Sequence, residues 1–178
     1  MRSGRRPHPR PPLNSEGLER LAFFYVGRYA TTRAKLRDYL DRKLRERGWA
    51  GERPADTAAL AERFAGLGLV DDRAFASARA ASLTRRGYGE RRVAASLKAA
   101  GVAEEEAAPA REEAGEQALR AALRFAERRR LGPFAAEAPD WQGRQKAAAA
   151  MLRAGHPMEI VRTVLNASPG EIPDSDGC

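Results

Sequence analysis

Apolar side chains recur at four-residue intervals in three separate stretches of this chain. Each stretch begins with a small or capping residue that apolar positions follow: Thr32-Leu36-Leu40, Gly89-Val93-Leu97-Gly101 and Gly143-Ala147-Met151-Gly155. Residues four apart lie on one face of an α-helix, so each stretch predicts a helix with one buried face. Strand-like alternation does not persist, and β-branched residues are sparse. The pattern therefore predicts an all-α protein.

Other amphipathic stretches flank these three helices. An amphipathic stretch precedes each of them: Leu18-Leu21-Tyr25, Phe75-Arg79-Leu83 and Leu119-Leu123-Ala126. A shorter one follows the first and the last: Leu60-Phe64-Leu67 and Ile160-Val164-Leu165, whereas residues 104–113 are acidic and weakly patterned. A three-helix unit of this size exposes an apolar face unless a neighbour covers it, which predicts a tandem array. A single compact helical bundle is equally compatible with this pattern.

The two ends of the chain differ in composition from the helical part. Residues 1–17 combine four arginines with four prolines, which disfavour helix, and predict a basic disordered arm. Residues 167–178 contain Ser168-Pro169-Gly170 near their start and carry several carboxylates, and they predict an acidic disordered tail. Between them we assign three helical repeats to residues 18–70, 71–114 and 115–166.

The 178 residues carry a formal net charge of +8 and a pI of about 10.3, which suits an acidic partner such as nucleic acid or an acidic protein surface. Arginine outnumbers lysine by 28 to 4 and alanine is abundant, which also indicates GC-rich coding bias, so some arginines would simply be solvated. The only cysteine is Cys178, which favours the reducing cytoplasm and excludes an intramolecular disulfide. No apolar run approaches the roughly 20 residues of a membrane helix.

Two neighbouring motifs carry a family resemblance. Residues 68–76 read Gly-Leu-Val-Asp-Asp-Arg-Ala-Phe-Ala, and residues 85–93 read Arg-Arg-Gly-Tyr-Gly-Glu-Arg-Arg-Val. This run closely resembles the second repeat of the RecX family, and the likeness extends over roughly Leu18 to Leu165. One departure is Lys35, which stands where the family usually has the glutamate of a capping box begun at Thr32. Thr32 can still cap the helix, but the reciprocal hydrogen bond is lost.

The resemblance implies a fold and a function. RecX proteins are elongated, curved tandem arrays of three-helix repeats, so the resemblance favours the array over the single bundle. It also implies a regulator that binds RecA or its filament on single-stranded DNA and mainly inhibits ATPase and recombinase activity, in DNA repair and SOS regulation. We expect a cytoplasmic monomer that contacts RecA and single- or double-stranded DNA and does not bind a membrane. The alternative is a helical nucleic-acid-binding module that acts without RecA.

Basic residues surround the glycine turn at 87–89 and continue in the third repeat. The candidates for contact with a partner or DNA are Arg85, Arg86, Tyr88, Arg91, Arg92, Lys98, Arg120, Arg124 and Arg128. Arginines can hold phosphates or carboxylates with two hydrogen bonds, and the N–H groups of the following helix N-terminus could assist. Tyr88 could stack a base. The alternative is an ordinary interhelix turn with Tyr88 packed down and the arginines solvated.

No group of residues is typical of an active site. Asp71 and Asp72 stand where a helix starts and are expected to cap it. His8 lies in the basic arm and His156 lies in a turn, so neither belongs to a catalytic or metal-binding set. No phosphate-binding loop of nucleotide hydrolases is present. We therefore expect a protein that is not an enzyme and has no cofactor or metal. Both tryptophans, Trp49 and Trp141, are predicted to pack in the core.

Overall fold

The computed structural model describes residues 11–174, which fold into α-helices joined by short turns. The helices are α1 (Ser15–Arg28), α2 (Arg33–Arg47), α3 (Thr57–Gly66), α4 (Asp72–Arg85), α5 (Glu90–Ala99), α6 (Glu104–Glu116), α7 (Ala118–Arg129), α8 (Trp141–Arg153) and α9 (Met158–Asn166), with a 3₁₀ turn at Gly132–Phe134. The predicted all-α class is confirmed. The chain packs as two compact units, one ending at Asp72 and one beginning at Arg73. No helix in the described part of the chain is long and apolar enough to cross a membrane.

The first unit contains α1, α2 and α3 around one buried cluster. Leu36 and Leu40 of α2 are fully buried, as their four-residue spacing predicts, and Leu18 and Phe64 meet them from α1 and α3. Thr32 caps α2 because its hydroxyl oxygen accepts a hydrogen bond from the Lys35 amide at 3.1 Å. The predicted cap is therefore confirmed, although the residue at position 35 cannot return the bond.

The chain is ordered earlier than the sequence predicts. Leu13 is 1% exposed, and its backbone exchanges hydrogen bonds with Gly48 and Ala50 at 2.9 and 2.8 Å. Asn14 then caps α1 by accepting a hydrogen bond from the Gly17 amide. The prediction of a disordered arm is therefore wrong for residues 11–17, because one apolar side chain and one capping side chain are enough to fasten this segment. The rest of the arm, residues 1–10, lies outside the described residues.

The second unit contains two buried clusters, one formed by α4, α5 and α6 and the other by α7, α8 and α9. Val93 and Leu97 of α5 are buried in the first and Met151 of α8 in the second, as the spacing predicts. Tyr88, in the turn between α4 and α5, packs against both clusters. Helix α6 buries only alanines and continues to Glu116, two residues past the predicted repeat boundary at 114.

The segment that follows α9 is partly fastened to the second unit. Helix α9 ends at Asn166, and the Gly170 amide donates a hydrogen bond to the Pro133 carbonyl at 2.8 Å. The prediction of a wholly disordered tail is therefore wrong at this point, because a backbone bond to the 3₁₀ turn holds the chain. Residues 175–178 lie outside the described residues.

The two tryptophans have different environments. Trp49 packs against the first core, and its indole N–H donates to the Arg53 carbonyl at 2.7 Å. Trp141 is 72% exposed, so its predicted place in the core is wrong. It begins α8 but lies six residues before Ala147, which places it about 120° around the helix from the buried face.

Candidate functional site

The predicted glycine turn joins α4 to α5 in a conformation that requires glycine. Helix α4 ends with a hydrogen bond from the Tyr88 amide to the Leu83 carbonyl at 3.0 Å, and Gly87 has a φ of +75°. Helices commonly end with a residue in the left-handed backbone conformation, followed by an amide that bonds back to the last turn. A Cβ at Gly87 would lie 2.9 Å from the backbone nitrogen of Phe125. The turn therefore rests directly on the backbone of α7.

Two glycines let the turn before α5 touch the turn before α9. The Gly89 amide donates to the Ala154 carbonyl at 3.0 Å, and the Arg91 amide donates to the Gly155 carbonyl at 3.2 Å. A Cβ at Gly89 would lie 2.6 Å from the His156 nitrogen, and Gly155 has a φ of +94°. Two of the N–H groups that the sequence offers to a phosphate at the start of α5 are thus occupied by carbonyls of this chain. Any anion bound near this turn has to use side chains.

The buried side chain of His156 links the same two turns. Its ring is fully buried, and Nε2 lies 3.1 Å from the Gly87 carbonyl oxygen. Because a carbonyl only accepts, Nε2 carries the proton and donates it. Burial lowers the pKa of the imidazole below its usual value, while the bond to Gly87 opposes this shift. Nδ1 is buried without a hydrogen-bond partner in the described part of the chain, and the ring stands edge-on to Phe125. The side chain therefore has a packing role as a neutral imidazole.

Beside this junction lies a pocket of about 400 Å³ lined mainly by arginines. We call it the arginine pocket; its lining residues are Tyr88, Arg92, Phe125, Arg128, Arg129, Ala150, Arg153 and Ala154. They come from the α4–α5 turn, α5, α7 and the end of α8. The guanidinium carbon of Arg92 lies 5.9 Å from the centre of the Tyr88 ring, and that of Arg129 lies 5.3 Å from the Phe125 ring. Two of the cations thus pack against aromatic rings of the pocket lining.

The arginine pocket has an unbalanced positive charge. No carboxylate lines it, and within residues 11–174 none forms an ion pair with Arg92, Arg129 or Arg153. Arg128 donates a hydrogen bond to the Arg86 carbonyl, which holds its side chain across the turn. All four arginines are exposed to solvent. The arrangement can bind an anion such as a phosphate or a carboxylate by charge-assisted hydrogen bonds.

The structure brings together only part of the predicted set. Tyr88, Arg92 and Arg128 line the arginine pocket. Arg86 does not line it, but its guanidinium carbon lies 5.5 Å from the centre of the Tyr88 ring. The other candidates are exposed on the helices but do not line it: Arg85, Arg91, Lys98, Arg120 and Arg124.

Five lining residues of the arginine pocket are not in the predicted set: Phe125, Arg129, Ala150, Arg153 and Ala154. Arg120, Arg124 and Arg128 are four residues apart, and Arg129 lies off that spacing. Phe125 has the pattern of an ordinary core position. Arg153 stands alone in its stretch, and its only signal is that it ends α8 just before the Ala154-Gly155 turn. No group of three or more histidine, cysteine, aspartate or glutamate side chains suited to a metal ion occurs among the residues described.

Comparison with known proteins gives consistent results. Residues 71–110 match the family described as RecX, second three-helix domain. The Regulatory protein RecX of Myxococcus xanthus (strain DK1622) is 33% identical over 162 residues, which covers 85% of this chain and 86% of that protein. The Regulatory protein RecX of Agrobacterium fabrum (strain C58 / ATCC 33970) is 34% identical over 86% of this chain and 84% of its own length.

Solved structures share the fold. The crystal structure of RecX from Lactobacillus salivarius superposes with a TM-score of 0.61, at 16% identity, over 85% of this chain and 94% of that one. A second crystal structure of regulatory protein RecX gives a TM-score of 0.60 at 16% identity, over 85% of this chain and 73% of its own length.

Proposed function

The chain belongs to the RecX family, and we propose on that basis that it binds RecA, or the RecA filament on single-stranded DNA, and mainly inhibits its ATPase and recombinase activity in the cytoplasm. Two relatives of similar length are each named Regulatory protein RecX. RecA modulation is the role that the family resemblance implies, and it comes to this chain as part of the proposal. The protein then acts by binding, as a regulator and not as an enzyme.

The arginine pocket is the observation that supports a physical mechanism. A regulator of a nucleoprotein filament meets two kinds of anion, the phosphates of DNA and the carboxylates of the protein surface. Arg92, Arg129 and Arg153 have no carboxylate partner in the described part of this chain, so a partner's anion does not have to displace one. Because these arginines are exposed, each ion pair with a partner contributes about 0.2–1 kcal/mol. Three such groups in one pocket make it the strongest candidate contact for an acidic partner.

The test is hydrolysis of ATP by the source organism's RecA on saturating single-stranded DNA, titrated with this protein. The pocket variant carries Arg92→Ala, Arg129→Ala and Arg153→Ala together. The matched control carries Arg45→Ala, Arg73→Ala and Arg162→Ala, which removes the same charge from exposed positions that lie outside the pocket and outside the predicted contact set. We expect the wild type and the control to inhibit at similar concentrations and the pocket variant to need about tenfold more protein.

Each result has a defined meaning. Equal inhibition by all three proteins would exclude the arginine pocket as the contact, and equal weakening of both variants would point to net charge alone. If the wild type does not inhibit but binds DNA in the same buffer, the alternative of a nucleic-acid-binding module acting without RecA is favoured. The net charge of +8 supports that alternative, and its effects would disappear when free DNA is in excess.

A further inference from the structure

Three tyrosines form a continuous row in the first unit: Tyr25 on α1, Tyr29 directly after the end of α1, and Tyr39 on α2. The rings of Tyr25 and Tyr39 are stacked, with centres 4.2 Å apart and planes 14° from parallel. Tyr29 continues the row from Tyr25, with ring centres 5.3 Å apart and planes 52° from parallel. We call Tyr25, Tyr29 and Tyr39 the tyrosine row. Because two helices contribute, the row is a product of the fold and not of local sequence.

The tyrosine row is held by the core and open at one end. Tyr25 and Tyr39 are partly buried and pack against the first hydrophobic cluster, whereas Tyr29 is 50% exposed. Within residues 11–174 none of the three hydroxyl groups has a hydrogen-bond partner. Packing therefore holds the rings, and hydrogen bonds to their hydroxyl groups do not contribute. A flat ligand can stack on the exposed ring of Tyr29 with little ordering of the protein.

Cations lie against both ends of the row. The guanidinium carbon of Arg28 lies 5.9 Å from the Tyr29 ring centre, and at the other end Arg42 and Lys43 lie 5.5 and 5.9 Å from the Tyr39 ring centre. Arg28 forms no ion pair in the described part of the chain. Aromatic faces flanked by cations are a combination that binds single-stranded nucleic acid, since bases stack on the rings and phosphates meet the charges.

We propose that the tyrosine row is a stacking site for unpaired bases of single-stranded nucleic acid, with Arg28, Arg42 and Lys43 contacting the flanking phosphates. Tyr29 receives the first base because it is the exposed ring. Bases in a duplex are already stacked on their neighbours and cannot offer their faces, so the site discriminates single strands from duplex. The inference concerns the first unit alone and does not depend on RecA.

One carboxylate regulates the charged end of this site. Glu46 pairs with Lys43 at 2.5 Å and with Arg42 at 3.7 Å. A phosphate that approaches these two cations has to replace Glu46, which weakens binding relative to free cations. Removal of this charge by Glu46→Gln should therefore strengthen binding to single strands while leaving the tyrosines in place. A site elsewhere on the protein would not respond to this change beyond the general effect of one added positive charge, which Asp38→Asn supplies as a control.

The experiment measures fluorescence anisotropy of a labelled oligothymidylate with the full-length protein and without RecA. We expect Tyr29→Ala to weaken binding about tenfold and Tyr29→Phe to leave it nearly unchanged, since the ring and not the hydroxyl does the stacking. On an oligonucleotide of the same length made of abasic sites, Tyr29→Ala and the wild type should bind alike. A duplex of the same length should likewise be insensitive to Tyr29→Ala.

Circular dichroism spectra of both variants must match the wild type, and the 50% exposure of Tyr29 makes that outcome expected. If Tyr29→Ala binds oligothymidylate as tightly as the wild type, the proposal is wrong. If it weakens binding to the abasic strand equally, the tyrosine row does not stack bases. If the variant loses only inhibition of RecA, the row is a protein contact and the proposal is likewise overturned.

Discussion

The carboxylate of Asp72 accepts a hydrogen bond from the backbone amide of Arg33 at 2.9 Å, 39 residues earlier in the chain, and lies 3.4 Å from the Nε of the same residue. It thereby satisfies a donor at the N-terminus of α2 and places a negative charge there, where the helix dipole favours it. Thr32 caps the Lys35 amide of the same turn. A distant aspartate thus supplies the acidic group that Lys35 cannot provide in a local capping box.

We expect Asp72→Ala to lower the free energy of unfolding of the protein by about 1–3 kcal/mol, because the change leaves the Arg33 amide and guanidinium without this acceptor in a buried place. Asp72→Asn retains an oxygen acceptor and should lose less. Urea unfolding followed by circular dichroism measures both. Asp38→Ala, at an exposed ion pair with Arg37, should change the stability by less than about 0.5 kcal/mol; a loss as large as that of Asp72→Ala would refute the assigned role.

The stability of the protein should depend on pH through His156. Its pKa is lowered in the fold, so below the unfolded value of about 6.5 the unfolded chain binds a proton that the native chain does not. The contribution of His156 to the free energy of unfolding is therefore fully present above that pH. It falls as the pH drops toward the folded pKa, by at most about 1.4 kcal/mol per pH unit. Unfolding by urea from pH 8 to pH 5 should show this slope in the wild type.

His156→Gln provides the matched comparison, since its amide can donate to the Gly87 carbonyl but does not titrate. The variant should be less stable than the wild type at pH 8, and the difference should narrow toward pH 5. An identical pH dependence in the two proteins would show that His156 does not contribute to it.

Gly89→Ala should destabilise the second unit by about 1–3 kcal/mol or more, because its Cβ would lie 2.6 Å from a backbone nitrogen in the turn before α9. Gly115→Ala is the matched control, since it lies within α6 and its Cβ would meet nothing within 4 Å. Alanine there should stabilise the helix by about 0.5–1 kcal/mol. Thermal unfolding measures the Tm of both variants. Equal shifts in Tm would contradict the close approach of the two turns.

A polyanion should stabilise the protein through the arginine pocket. We expect inorganic tripolyphosphate to raise the Tm of the wild type in a concentration-dependent way, because a ligand that binds only the native state favours folding. The variant with Arg92, Arg129 and Arg153 changed to alanine should show a much smaller rise, and the control with Arg45, Arg73 and Arg162 changed should behave like the wild type. Equal shifts in all three proteins would indicate diffuse binding to the basic surface.

Local periodicity predicted the helices well and their ends less well. Leu36, Val93 and Met151 are buried as expected, since residues four apart must share a helix face whatever the partner is. The start of the fold was predicted too late because Leu13 is a single apolar residue among prolines and has no periodic neighbour. The prediction for Trp141 was wrong because the sequence does not indicate whether another element covers a large apolar side chain at the start of a helix.

The sequence by itself determined the all-α class, the inward faces of the helices and the family, because these depend on the spacing and identity of neighbouring residues. Only the tertiary structure decided which charged and aromatic groups act together. Arg92, Arg129 and Arg153 share a pocket because α5, α7 and α8 meet around it, an arrangement that needs the contact of Gly89 with Gly155. Tyr25 and Tyr39 stack because α1 packs on α2. Both relationships join residues far apart in the chain, and no local pattern carries that information.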